Sequence, residues 1–328
     1  MPMNTASFRY EVDKTIDKMF FAELMRREKY YTKLFASKPA PKGEDYTEAT
    51  LSEYGIARAV TQGGRPDLDI PVEGNKVTRT YSKVGLSTMM TRELLDDDIT
   101  GKWKQLPARM VDSVVERVEF DTIGVLENGF TTASAGEDAK ALFANNHATL
   151  KGATTINNLS TADLSTTALE AAFNYGMLHK GENGFIRPIK PKYVVVAPAN
   201  MWVVNDLLKA TGRVWNYYGA SVGAGLPMDI NSGLVAGPLT APGTIAQNQL
   251  NPSFGIVDDW KIIVNPYITD ADSWYVLFDG FDLRLLWKYE PSLEKDYDVG
   301  TESTIWHARA RYTCFSNKYS RMYGSAGA

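Results

Sequence analysis

Three features of the 328-residue chain predict an α+β fold. Residues 102–128 place Trp103, Leu106, Met110, Val114, Val118 and Val125 in one stripe at helical spacing, with Val111, Val115 and Ile123 beside it. Apolar runs at 194–198, 262–266 and 274–278 read as buried strands. Residues 76–86 alternate at the two-residue period of a strand, with Val77, Arg79, Tyr81 and Lys83 on one face.

The elements follow in order. Residues 11–37 predict an amphipathic helix, because Ile16, Met19, Phe20, Leu24, Tyr31, Leu34 and Phe35 recur at roughly helical spacing; the Pro39–Gly43 stretch ends it. The mixed face of 76–86 is no simple buried face. With turns at Gly63-Gly64 and Gly74-Asn75, residues 57–90 predict a long two-stranded hairpin projecting from the body. A lone hairpin is marginal in water, so it is expected to lie on a neighbour. A short turn in 87–98 leads to the main helix, with Pro107 in its first turns and Gly129 as its stop. About 27 helical residues span about 40 Å. Residues 131–158 are small and polar, interrupted by Ala141-Leu142-Phe143, and residues 160–164 are expected to cap a helix over 165–179. A strand at 194–198, a helix at 202–208, a glycine-rich loop at 219–225 and two further strands precede the closing run Trp306-His307-Ala308-Arg309-Ala310-Arg311-Tyr312.

The chain is 44% hydrophobic and 23% charged, enough to bury a sizeable core and to exclude wholesale disorder. No apolar run is long enough to cross a membrane, and the first residues lack the pattern of a secretory signal. One cysteine, Cys314, excludes an internal disulfide framework and fits a reducing compartment. The net charge of −4 argues against a dedicated nucleic-acid binder. Charge is unevenly placed: residues 55–92 carry six bases and three acids, residues 305–328 carry four bases and no acid, and residues 161–300 carry 15 acids against 10 bases. Such asymmetry steers the basic loop of one copy toward the acidic body of another.

Catalytic and cofactor motifs are weak. The loop at 219–225 lacks the Gly-Lys-Ser/Thr ending of a phosphate loop and follows a helix, so it reads as a flexible connection. Asp96-Asp97-Asp98 has no calcium-loop spacing and reads as charge at a helix start. His147 has no acid within its own segment to orient it, and His179 and His307 stand beside no nucleophile. Cys314 reads as a small buried hydrophobe, and most tryptophans as packing groups. No cofactor, metal or catalytic residue is expected.

Several runs carry a resemblance. Residues 86–98 (Leu-Ser-Thr-Met-Met-Thr-Arg-Glu-Leu-Leu-Asp-Asp-Asp), 119–129, 142–150 (Leu-Phe-Ala-Asn-Asn-His-Ala-Thr-Leu), 164–172 with 191–198, and 306–312 resemble, in this order, successive parts of the Hong Kong 97-like major capsid proteins of tailed bacteriophages; 142–150 is similar to a motif of Mu-like head subunits. The resemblance covers nearly the whole chain. It implies an N-terminal arm over 1–54, an extended loop over 55–90, a peripheral domain with its spine helix over 91–160, an axial domain over 161–300, and a return to the periphery over 301–328. It implies a structural protein of the virion capsid, assembled in the host cytoplasm from hexamers and pentamers of one subunit into an icosahedral head around the genome. A separate scaffolding protein, a portal and decoration proteins are the implied partners, with weak nonspecific contact to packaged double-stranded DNA. Arg58, Arg65, Lys76, Arg79 and Lys83 of the loop are expected to pair with acids of an adjacent subunit, and Trp103, Leu106, Met110, Val114 and Val118 to pack the spine helix. Relatives that cross-link a lysine to an asparagine would cast Lys76 or Lys83 and Asn317 in those roles; nothing in the spacing demands it, and a non-covalent shell is expected. The rivals are an encapsulin-like shell housing a cargo enzyme, and an unrelated α+β enzyme using His147.

Overall fold

The computed structural model describes residues 18–97, 105–151, 155–209, 212–213, 249–250 and 260–327. Two sheets organise them. The first has four strands in the order β1 (Ala36–Pro39), β13 (Leu283–Asp298), β14 (Ser303–Ser316) and β4 (Ser82–Thr91). The second has five, in the order β11 (Lys261–Val264), β8 (Pro191–Val196), β12 (Trp274–Phe278), β15 (Met322–Ser325) and β7 (Leu159–Ser160). Two-stranded pairs complete the set: β2 (Asp45–Leu51) with β3 (Glu73–Thr80), β5 (His147–Ala148) with β6 (Thr155–Ile156), and β9 (Gly212–Arg213) with β10 (Gln249–Leu250).

The long helix predicted at 102–128 is α4 (Leu106–Glu127), about 33 Å long, with Pro107 in its first turn. Met110, Val111, Val114, Val115 and Val118 are buried, and Leu106 packs against their cluster; Trp103 lies outside the described residues. The helix lies on the first sheet because β14 alternates strictly. Trp306, Ala308, Ala310 and Tyr312 are buried toward the helix, while His307, Arg309 and Arg311 occupy the opposite, open face. Tyr312 donates to Asp121 Oδ2 at 2.7 Å, and the Cys314 thiol donates to the Asp121 carbonyl at 3.2 Å. Burial pushes that thiol up to about 12, so it is an inert packing group. Gly129 does not end the helix by a left-handed turn. A 3₁₀ turn (Asn128–Phe130) does that, and a Cβ on Gly129 would come within 2.8 Å of the Phe143 ring, so close packing demands the glycine.

The second sheet is covered on both faces, as its all-apolar β12 requires. Val195, Tyr275, Leu277 and Met322 join the core beneath α4 and the first sheet. Val194, Val196, Trp274, Val276 and Phe278 face α5 (Thr166–Met177) and α6 (Met201–Lys209). The cap of α5 is Ser165, whose hydroxyl accepts from the Ala168 N–H, rather than any residue of 160–164.

Two expectations are corrected. The helix predicted over 11–37 is broken among its described residues into α1 (18–26) and α2 (Tyr31–Leu34), and β1 follows at Ala36. The break is imposed by α4. Glu119, fully enclosed, accepts the N–H groups of Tyr30 at 2.7 Å and Tyr31 at 3.0 Å, so its carboxylate restarts the helix from outside the segment. Arg27 donates to Asp112 Oδ1 at 2.9 Å and to Tyr267 Oη at 3.0 Å.

The hairpin is not formed within 57–90 alone. Its strands are β2 and β3, so one strand comes from 45–51, and Gly74 sits in β3 instead of a turn. The 76–86 alternation is divided at Tyr81, where the chain leaves β3 and enters β4 to pair with β14. Alternation reports two faces; it does not report which partner supplies the ladder. The glycine-rich loop at 219–225 lies outside the described residues, as does Asp98 of the acidic triplet.

Candidate functional site

The candidate site is the strap of residues 52–72, joining β2 to β3, together with the open face of the first sheet.

The root of the β2–β3 hairpin is fixed to the body by a charged knot. Glu48 Oε2 accepts from Arg284 Nη1 and Asn317 Nδ2, each at 2.9 Å, and Arg284 also bonds Asp282. Tyr46 packs its ring on Phe315 with centroids 5.5 Å apart. Arg79, half-buried on β3, donates to the Ala135 carbonyl at 2.6 Å and to Asn317 Oδ1 at 3.3 Å, with its guanidinium over the Phe315 ring. Arg79 therefore anchors the hairpin within its own subunit. The sequence shows its charge, which carries the expectation of a contact with an adjacent subunit, but not these partners within its own.

Above the root the strap is held at intervals. The Ser52 and Val72 backbones bond at 2.9 Å, Gly55 N–H donates to Asp69 Oδ2 at 2.6 Å, Lys151 pairs with Asp69 at 2.7 Å, and Arg187 pairs with Glu53 at 3.1 Å. Thr50 bonds Glu137, whose carboxyl burial pushes up to about 7. Beyond these ties the strap exposes Tyr54, Ile56, Ile70 and Leu68, the last 89% exposed. Arg58 forms an exposed pair with Asp67 at 3.3 Å, and Arg65, Lys76 and Lys83 are exposed. The structure thus groups Arg58 and Arg65 on the strap, leaves Lys76 on β3, and puts Lys83 on the separate strand β4.

The open sheet face was not legible as a unit. Lys83 stands directly opposite Arg311 in the β4–β14 register, and Arg309 lies two residues further along β14. A cavity of about 350 Å³ is lined by Tyr81, Lys83, Tyr289, Arg309, Ala310 and Arg311. The signal was present in Arg309-Ala310-Arg311, since bases at alternate strand positions share a face.

The enzyme candidates resolve differently. His147 does have an acid partner, Asp138, whose Oδ2 lies 2.7 Å from Nδ1, and its ring stacks on Tyr319 with centroids 3.7 Å apart. The pair is brought together by the fold and not by one segment. His147 is 0% exposed, enclosed between Asp138 and the Tyr319 ring. His179 is buried, which drives its imidazole down to about 4. Among the described residues no group of three or more His, Cys, Asp or Glu is placed to hold a metal ion, and no helix is long and apolar enough to cross a membrane.

The fold superposes on solved capsid structures. The capsid of a native GTA particle superposes with a TM-score of 0.53 at 10% identity, covering 91% of this chain and 90% of that one. Gordonia phage Cozz gives 0.51 at 14% identity, covering 92% and 87%. The mature capsid of bacteriophage PhiM1 gives 0.51 at 13%, covering 90% and 85%. At such identities the likeness defines the fold, the α+β Hong Kong 97-like capsid fold. No curated protein matches the sequence. Membership comes from the sequence itself: the family model for phage capsid protein matches residues 76–321, and the chain belongs to that family. It is a structural capsid protein of a phage particle.

Proposed function

We propose that the subunit tiles the head as hexamers and pentamers, with its strap laid across the adjacent subunit. The observation that carries this reading is the strap: a segment tied at both ends that nonetheless holds Tyr54, Ile56, Leu68 and Ile70 in water. Apolar area covered by a neighbour contributes about 25 cal/mol per Å². Arg58, Arg65, Lys76 and Lys83 supply the polar part of such contacts. In this arrangement residues 1–54 form the arm, whose strand β2 pairs with β3 of the extended loop (55–90), 91–160 and 301–328 the peripheral domain built on α4, with Met110, Val114 and Val118 packing that spine, and 161–300 the axial domain.

The subunit works without catalysis, since His147 is sealed, and without covalent cross-links, since Asn317 is 4% exposed and its amide is engaged by Glu48 and Arg79. Assembly in the host cytoplasm uses a separate scaffolding protein and a portal, accepts decoration proteins, and leaves only weak nonspecific contact with packaged duplex DNA. Negative-stain electron microscopy of the protein, alone and coexpressed with its neighbouring genes, tests this. Closed shells with rings of five and six are expected; a uniformly monomeric species in both preparations at high concentration overturns it.

A further inference from the structure

We infer that the cavity on the open sheet face receives the acidic β13–β14 tip of a second copy of this chain. The inference rests on the shell reading and specifies one of its contacts. The cavity is built for an anion. Lys83, Arg309 and Arg311 converge on it; among the described residues Glu294 bonds only Arg309, and two buried polar atoms, Tyr81 Oη and Arg309 Nε, have no hydrogen-bond partner. Tyr81 is itself more than nine-tenths buried. Lys288, above the Tyr81 ring, is already spent on the Pro41 and Gly43 carbonyls.

The complementary surface lies on the same sheet. The β13–β14 hairpin ends in a turn at 299–302 flanked by Asp296, Asp298 and Glu302, with Val299 79% exposed at its apex. The Asp298 carboxyl is held below its ordinary value by bonds from Thr301 and the Gly300 N–H, so it carries full charge. Glu302 meets only a loose, exposed pair with Arg92 at 3.6 Å. One sheet therefore carries bases at its root and acids at its tip. Ring-forming contacts are heterologous, so each subunit must present two different, complementary patches; root and tip are such a pair. Duplex DNA fits less well, because a phosphate backbone, with about one charge per 1.7 Å, would run onto Glu294 and Asp296 of the same face.

A charge swap tests the contact in the full-length chain. The root variant carries Lys83→Glu and Arg311→Glu, the tip variant Asp296→Lys and Glu302→Lys, and the third carries all four. Folding of dissociated subunits is checked by circular dichroism, and assembly is read by sedimentation velocity and microscopy over a salt series. Each pair of reversals is expected to cut the assembled fraction about tenfold at low salt, and the four together to restore it to within about twofold of the parent. Parent-like assembly by the root variant overturns the contact, as does failure of the fourfold variant to recover. A root variant that assembles normally but retains less DNA also overturns it and assigns the cavity to phosphate. A parent that never leaves the monomer overturns the shell reading instead.

Discussion

Replacing Glu119 by glutamine tests the joint between the N-terminal segment and the spine helix. The carboxyl is fully enclosed and accepts two backbone N–H groups, yet burial pushes it from its ordinary 4.5 up to about 7. The sign follows directly. Between these values the folded chain holds a proton that the unfolded chain has released, so Glu119 makes the fold less stable as pH rises through that window. The full gap corresponds to about 3 kcal/mol, of which about 2 kcal/mol falls between pH 5.5 and 8. Glutamine keeps one acceptor but turns an amide N–H toward the Tyr30–Tyr31 donors, a loss of about 1–3 kcal/mol that does not vary with pH. Against the parent, Glu119→Gln is therefore expected to be clearly destabilised at pH 5.5 and to recover by about 2 kcal/mol at pH 8. Urea unfolding of dissociated subunits at both pH values, followed by tryptophan fluorescence, measures this. A stability difference that is the same at pH 5.5 and pH 8 refutes the reasoning.

Other expectations concern separate parts of the molecule. His179, driven down to about 4, makes the fold lose stability as pH falls from about 6.5 toward 4, by up to about 3 kcal/mol, and His179→Gln should flatten that acid limb in the same urea assay. Gly176→Ala puts a methyl into the Phe278 ring and 2.8 Å from the Ile189 carbonyl, and should cost about 2–3 kcal/mol, read as a lowered melting temperature. Asn158 accepts from the Ala144 N–H and donates to the Leu142, Tyr319 and Met322 carbonyls. Asn158→Ala removes all four bonds, leaving the Tyr319 carbonyl with only the Met322 N–H, and should cost about 3 kcal/mol by calorimetry. Leu68→Asp with Ile70→Asp changes only exposed strap positions, so the melting temperature should stay within about a degree while assembly by sedimentation falls steeply.

Elements whose pattern depends on their own residues were legible in the sequence. The α4 stripe, the continuous apolar β12 and the strict alternation of β14 each announce a face and a period. What the sequence hides is set by groups far along the chain. Glu119 breaks a helix 88 residues before it, Asp138 finds His147 only once the loop between them folds back, and Arg79 turns inward because Ala135 and Asn317 stand there. The basic loop was read as one surface, yet its charges divide among an internal anchor, an exposed strap and a sheet face, because β3 and β4 take different partners.

The position of β15 has a consequence for the timing of synthesis. Met322–Ser325 are all buried, and the strand lies inside the five-stranded sheet, between β12 and β7; β14 likewise fills an interior place between β13 and β4. A nascent chain halted before residue 303 lacks an interior strand in both sheets, and one halted before 322 still leaves β12 with an unpaired edge. Neither body can close while the ribosome is still adding these residues. A chain lacking residues 303–325 thus has no finished sheet in either body, and so no finished surface to offer a growing lattice.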